Sequence, residues 1–124
     1  MRIADTSFLY ALFSETDQFH ARALEAARSP EAVVVPAEIF SETLSLIQCR
    51  QGHAAARGAG EWIREQGCIE IGIASRARLE AAWTTFVGSR GRLSYPDAIV
   101  LAWCAGRGVS PLAFDEDLLR SRRG

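Results

Sequence analysis

Ala32-Val33-Val34-Val35, with Pro36 behind it, decides the fold class. The run is continuous, apolar and mostly β-branched, which predicts a strand buried on both faces, as in a parallel sheet. Pro36 ends it and suits a helix start. Ile39, Phe40, Thr43, Leu44 and Ile47 then recur at helical spacing to about Arg50. Toward the N-terminus, residues 1–4 predict a short strand stopped by Asp5-Thr6-Ser7. Residues 6–13 carry Phe8, Leu9, Leu12 and Phe13 on one helical stripe. Asp17 is placed to cap a second helix with Phe19, Ala23, Leu24 and Ala27 inward, ended by Ser29-Pro30.

Toward the C-terminus the alternation continues. Residues 53–66 predict a helix with Ala56, Ala59, Trp62 and Ile63 inward, and Gly67 breaks it. Cys68-Ile69-Glu70-Ile71-Gly72-Ile73 alternates with the period of a strand. Residues 76–87 align Leu79, Ala82, Trp83 and Phe86, and residues 88–92 form a loop. Ser94-Tyr95-Pro96-Asp97 opens an apolar helix to about Ala105, closed by Gly106-Arg107-Gly108. Residues 109–114 predict a last strand, and Asp115 begins a short helix. Alternating strands and helices imply an α/β class: a single-domain α/β/α sandwich over residues 1–124, around a central, mostly parallel sheet of about four to five short strands.

Bulk properties exclude several classes. A chain of 124 residues with 48% hydrophobic and 23% charged residues is that of an ordinary globular domain. The longest apolar run, residues 98–105, is too short to cross a bilayer. Asp5 interrupts the N-terminus before a signal-peptide core, so a cytoplasmic location is expected. Three cysteines (Cys49, Cys68 and Cys104) do not make a disulfide framework. Cys49 and His53 stand four apart, a spacing that can serve a metal, but Gly52 between them marks a helix end. The net charge is −1 and all 14 basic residues are arginine, clustered at Arg90 and Arg92 and at Arg120, Arg122 and Arg123.

Four of the five aspartates stand where a strand ends or a helix begins. Asp5 follows the first strand, Asp97 lies in a first helical turn, and Asp115 and Asp117 follow the last strand. Each has a local reading. Asp5 can cap a helix, Ser94 and Asp97 resemble a capping box, and Asp115 and Asp117 suit a helix start. In open parallel sheets, however, the carboxyl ends of strands and helix N-termini share one edge, where ligands bind. Acids meeting there repel one another unless a cation sits among them. Oxygen donors without a His/Cys set suit Mg²⁺ or Mn²⁺ better than Zn²⁺. Glu42, with Glu38 one turn earlier, adds an acid from the next helix, and spacing does not choose between them.

These residues together resemble a known family. Asp5-Thr6-Ser7, the segment from Pro36 to Leu44 with Glu42, Leu93-Ser94-Tyr95-Pro96-Asp97-Ala98, and Leu112-Ala113-Phe114-Asp115-Glu116-Asp117-Leu118 are similar to the four motifs of PIN-domain nucleases, especially VapC-type toxins of toxin–antitoxin pairs. The resemblance covers nearly the whole chain in order. It implies a metal-dependent endoribonuclease in which Asp5, Glu42, Asp97 and Asp115 hold one or two Mg²⁺ or Mn²⁺ ions. Asp117 would assist, and Ser7 would orient Asp5 or a metal-bound water. The metal would activate water for in-line attack and leave a 5′-phosphate and a 3′-hydroxyl. Arg90 and Arg92 are the expected contacts to the RNA backbone. Two departures stand out: Ala113 where many relatives have Thr, and an end six residues after Leu118.

Rival readings are weaker. A haloacid-dehalogenase-like phosphatase needs a second Asp where Ser7 stands, and a receiver domain needs a lysine. A PIN-fold module that binds a protein or RNA partner without cutting is the alternative, opposed by the intact acid set. Expected partners are an RNA substrate, a cognate antitoxin and a second copy in a homodimer. Phe8, Tyr10, Leu12, Phe13, Phe19 and Leu24 can form a groove for an antitoxin helix or second copy, or simply belong to the core.

Overall fold

The computed structural model describes residues 1–114, 118 and 119. Its elements alternate as expected: β1 (Arg2–Ala4), α1 (Thr6–Phe13), α2 (His20–Ala27), β2 (Val33–Pro36), α3 (Ala37–Gln51), α4 (His53–Glu65), β3 (Ile69–Gly72), α5 (Arg76–Gly88), α6 (Tyr95–Arg107) and β4 (Pro111–Leu112). Among the described residues there are four strands, all parallel, in the order β3-β2-β1-β4. From β1 the chain steps outward to β2 and β3, then returns to place β4 on the other side of β1. Strand order therefore reverses between β1 and β4, which makes that crevice the switch point of the sheet.

Right-handed crossovers put α1, α2, α3 and α4 on one face and α5 and α6 on the other. The packing agrees: α1 touches α2 and α3, α3 touches α4, and α5 packs chiefly on α6. Two central strands are sealed from water, with Ile3, Ala4, Val34 and Val35 at or near zero exposure. Burying each such Val or Ile side chain contributes about 1.5–3 kcal/mol. Among the described helices α6 buries the most residues, with Ala98, Ile99, Val100, Trp103 and Cys104 all buried. No helix among the described residues is long and apolar enough to cross a membrane.

Several boundaries differ from the sequence reading. Asp17 does not cap α2 directly; its carboxylate accepts the Phe19 amide at 2.8 Å, forming a turn ahead of the helix. β4 is only two residues long. Its expected start, Val109, donates its amide to Cys104 O behind the left-handed Gly108 (φ 67), and the Phe114 amide goes to a side chain. Cys49 and His53 fall on separate helices across Gly52 (φ 97), and His53 Nδ1 lies against Gln48 Oε1.

The larger correction concerns burial. Leu79 and Trp83 were expected inward on α5, yet only Ala82 is buried there, and Trp83 is 56% exposed. β3 is an edge strand, so Ile73 beyond it is also exposed. Leu24 of α2 is exposed as well, whereas Phe8 and Leu9 are core and Leu12, Phe13 and Phe19 pack against it. Tyr10 packs against a second cluster formed by Ile47, Ala56 and Ala59.

Candidate active site

β1 ends at Ala4, and the next residue is Asp5, at the switch point and only 3% exposed. Its amide donates to Leu112 O of β4 at 3.2 Å, which ties the two strand ends together. Its carboxylate accepts the Phe8 amide at 3.1 Å as the N-cap of α1, and the Ser7 hydroxyl at 2.8 Å through the same Oδ1. The capping reading of Asp5 therefore holds, and it holds at the crevice where ligands bind in such sheets. Capping and a functional role are compatible in this position.

Ser7 has a second task. Its Oγ accepts the Phe114 amide at 2.8 Å while donating to Asp5. The hydroxyl proton is thus committed to Asp5, so Ser7 orients that carboxylate and fastens the segment after β4 to the start of α1. Thr6, to which sequence reasoning gave no role, donates its hydroxyl to Glu42 Oε1. Its position inside Asp5-Thr6-Ser7 was the available signal. This bond brings the exposed Glu42, in the second turn of α3, beside the end of β1.

Glu38, one turn earlier on α3, is half-buried, and its Oε1 is buried with no hydrogen-bond partner. A buried carboxylate oxygen in that condition needs a donor or a cation. Both glutamates thus lie in the first half of a helix that starts where β2 ends.

Asp97 occupies the third position of α6. Its Oδ2 accepts the Ser94 amide at 3.3 Å, and its own amide donates to Ser94 Oγ at 3.2 Å, a complete capping box. α6 leads into β4, so it runs antiparallel to the strands and its first turn lies toward their carboxyl ends. Arg90 and Arg92, both exposed, sit in the loop that feeds this turn, where Arg90 adopts a left-handed φ of 54° and Gly91 one of 87°. Asp115 and Asp117, like the expected last helix and the cluster of Arg120, Arg122 and Arg123, lie outside the described residues.

Among the described residues, no three His, Cys, Asp or Glu side chains stand close enough to hold a metal ion. The donor chemistry nevertheless fits a hard divalent ion. The edge offers carboxylates only, and Glu38 contributes a buried oxygen without a partner.

Comparison with known proteins bears on this edge. The PIN domain family profile matches residues 2–123. Among solved structures, the chain is similar to the crystal structure of Mycobacterium tuberculosis VapC20, described as a sarcin–ricin loop cleaving toxin. The TM-score is 0.86 at 29% identity, over 98% of this chain and 95% of that one. No curated protein matches the chain.

Proposed function

The chain belongs to the PIN-domain family, and from that premise we propose that it is a metal-dependent endoribonuclease, the toxin of a toxin–antitoxin pair, built as one domain over residues 1–124. The observation that carries this reading is the buried Asp5 carboxylate at the switch point, braced by Ser7 and the Phe8 amide. The resemblance to a toxin that cleaves the sarcin–ricin loop supports RNA as the substrate class.

In this reading Asp5, Glu42 and Asp97, with Asp115 and the assisting Asp117, hold Mg²⁺ or Mn²⁺. Bound there, such an ion would supply Lewis acidity for activating a water toward in-line attack and for offsetting charge on the phosphate oxygens. The chain's own residues do the rest. Ser7 fixes the Asp5 carboxylate, and Thr6 fixes Glu42. The N-terminus of α6 presents the positive end of a helix dipole toward a phosphate. Arg90 and Arg92 meet the RNA backbone beside that turn. Cleavage leaves a 5′-phosphate and a 3′-hydroxyl.

The proposed location is the cytoplasm, and the proposed partners are an antitoxin and a second copy of the chain. A small cavity of about 80 Å³, lined by Phe8, Leu9, Leu12, Val33 and Trp62 with Arg2 and Glu31 beside them, has room for one side chain of an antitoxin helix. Sedimentation of the purified chain tests the homodimer.

RNA containing a sarcin–ricin loop, incubated with Mg²⁺ or Mn²⁺, tests the activity. Wild type should cleave, and Asp5→Asn and Asp97→Asn should not. Undiminished cleavage by both variants would overturn the site, and cleavage that survives a chelator would overturn the metal mechanism.

A further inference from the structure

Phe19 and Phe114 stack nearly parallel, with centroids 4.7 Å apart and 14° between planes. Phe8 meets Phe114 in a tilted contact at 6.2 Å. Over this pair lies Arg22, its guanidinium carbon 5.2 Å from the Phe114 centroid and 5.4 Å from that of Phe19. The rings are half-buried and Arg22 is exposed.

The placement of this cation is costly unless it has a use. Arg22 stands in the first turn of α2, where the helix dipole disfavours positive charge, and that turn holds no acid. No carboxylate among the described residues pairs with it, in contrast to Arg28 with Glu25 and Arg57 with Glu61. Its guanidinium nevertheless rests against the Phe19–Phe114 stack, within cation–π range of both centroids. A charge with no carboxylate partner among the described residues, already packed against the rings, loses little freedom when it meets an anion.

Its neighbourhood says which anion. Arg22 lies against the ring of Phe114, whose backbone amide donates to Ser7, and Ser7 donates to Asp5, the candidate metal-binding acid. Arg90 and Arg92 flank the same edge from the α6 side. With a net charge of −1, the chain has no global field to attract a polyanion, so local guanidinium groups must do it. We propose that Arg22, braced by Phe19 and Phe114, binds a backbone phosphate of the RNA strand on the β4 side of the scissile bond. The proposal rests on the ribonuclease reading above.

The test measures binding and turnover separately. A fluorescein-labelled single-stranded RNA is titrated by anisotropy into Asp5→Asn protein, with and without Arg22→Ala, across a salt series. Losing Arg22 should weaken binding about tenfold and flatten the salt dependence by about 0.7 in log–log slope. Phe19→Leu, which removes the brace and keeps the charge, should give a smaller loss. With Asp5 intact, Arg22→Ala should raise KM about tenfold with a much smaller change in kcat, and Arg57→Ala should change neither. Arg22→Gln replaces Arg22→Ala if the latter fails to fold by circular dichroism. Unchanged affinity and salt slope, in a protein whose wild type cleaves RNA, would overturn the Arg22 assignment alone. So would loss of antitoxin capture with RNA binding intact. Wild type that neither binds nor cleaves RNA would overturn the ribonuclease reading and this proposal with it.

Discussion

Replacing Ser7 by alanine removes one hydroxyl and two hydrogen bonds, both 2.8 Å long, at the point where β1 and β4 end together. The Phe114 amide is left without its acceptor, which costs about 1–3 kcal/mol, and Asp5 loses a donor to a buried carboxylate, about 1.5–3 kcal/mol. Phe114 is only half-buried, so water recovers part of the first term. A net destabilisation of about 3 kcal/mol follows. For a domain of this size that lowers Tm by about 10 °C, read by circular dichroism and by urea denaturation with an unchanged m-value. Cleavage should fall further than the lost stability explains, because Asp5 Oδ1 keeps the Phe8 amide but loses the Ser7 hydroxyl that helps to orient it. Ser7→Thr keeps the hydroxyl and should lose less on both counts. A Ser7→Ala protein within about 0.5 kcal/mol of wild type would refute the view that this hydroxyl fastens the two strand ends.

Two further outcomes test the packing and electrostatics away from the site. A methyl group on Gly72 would stand 2.6 Å from Trp103 Cη2 and 2.9 Å from Val34 Cγ1; Gly72→Ala should therefore destabilise by about 1–3 kcal/mol in chemical denaturation, and a neutral result would mean that the edge strand yields freely. The Arg50 guanidinium lies 5.0 Å from the centre of the Tyr10 ring, and its interaction with the phenol holds that group below its ordinary pKa. A depressed folded-state pKa adds stability above the unfolded value and loses it as pH falls through the folded one, so the stability lost in Arg50→Ala relative to wild type should grow at alkaline pH. Ultraviolet titration should show the Tyr10 midpoint rising in that variant, and an unmoved midpoint would refute the pairing.

Local chemistry was legible residue by residue. The bounds of α1 follow from Asp5 as cap and the stripe behind it, and the start of α6 follows from Ser94 and Asp97, because a cap and its amide are neighbours in the chain. The α5 stripe shows the limit. Leu79 and Trp83 are aligned as the periodicity says, but alignment does not reveal whether anything covers them, and among the described residues little does. The same limit applied to Glu38 and Glu42, which spacing could not separate. In the structure one is tied to Thr6, and the other keeps a buried oxygen without a partner.

By itself, then, the sequence determined the alternation of elements, their caps and the inventory of acids, since each depends on interactions within a few residues. Only the tertiary structure decided that β4 lies against β1. That pairing places Asp5 in a crevice, lets Ser7 reach Phe114, and lays Arg22 over rings from two distant segments. These are contacts between residues up to 107 positions apart, and they form because burying the strands and closing the sheet offsets the entropy of bringing such distant segments together.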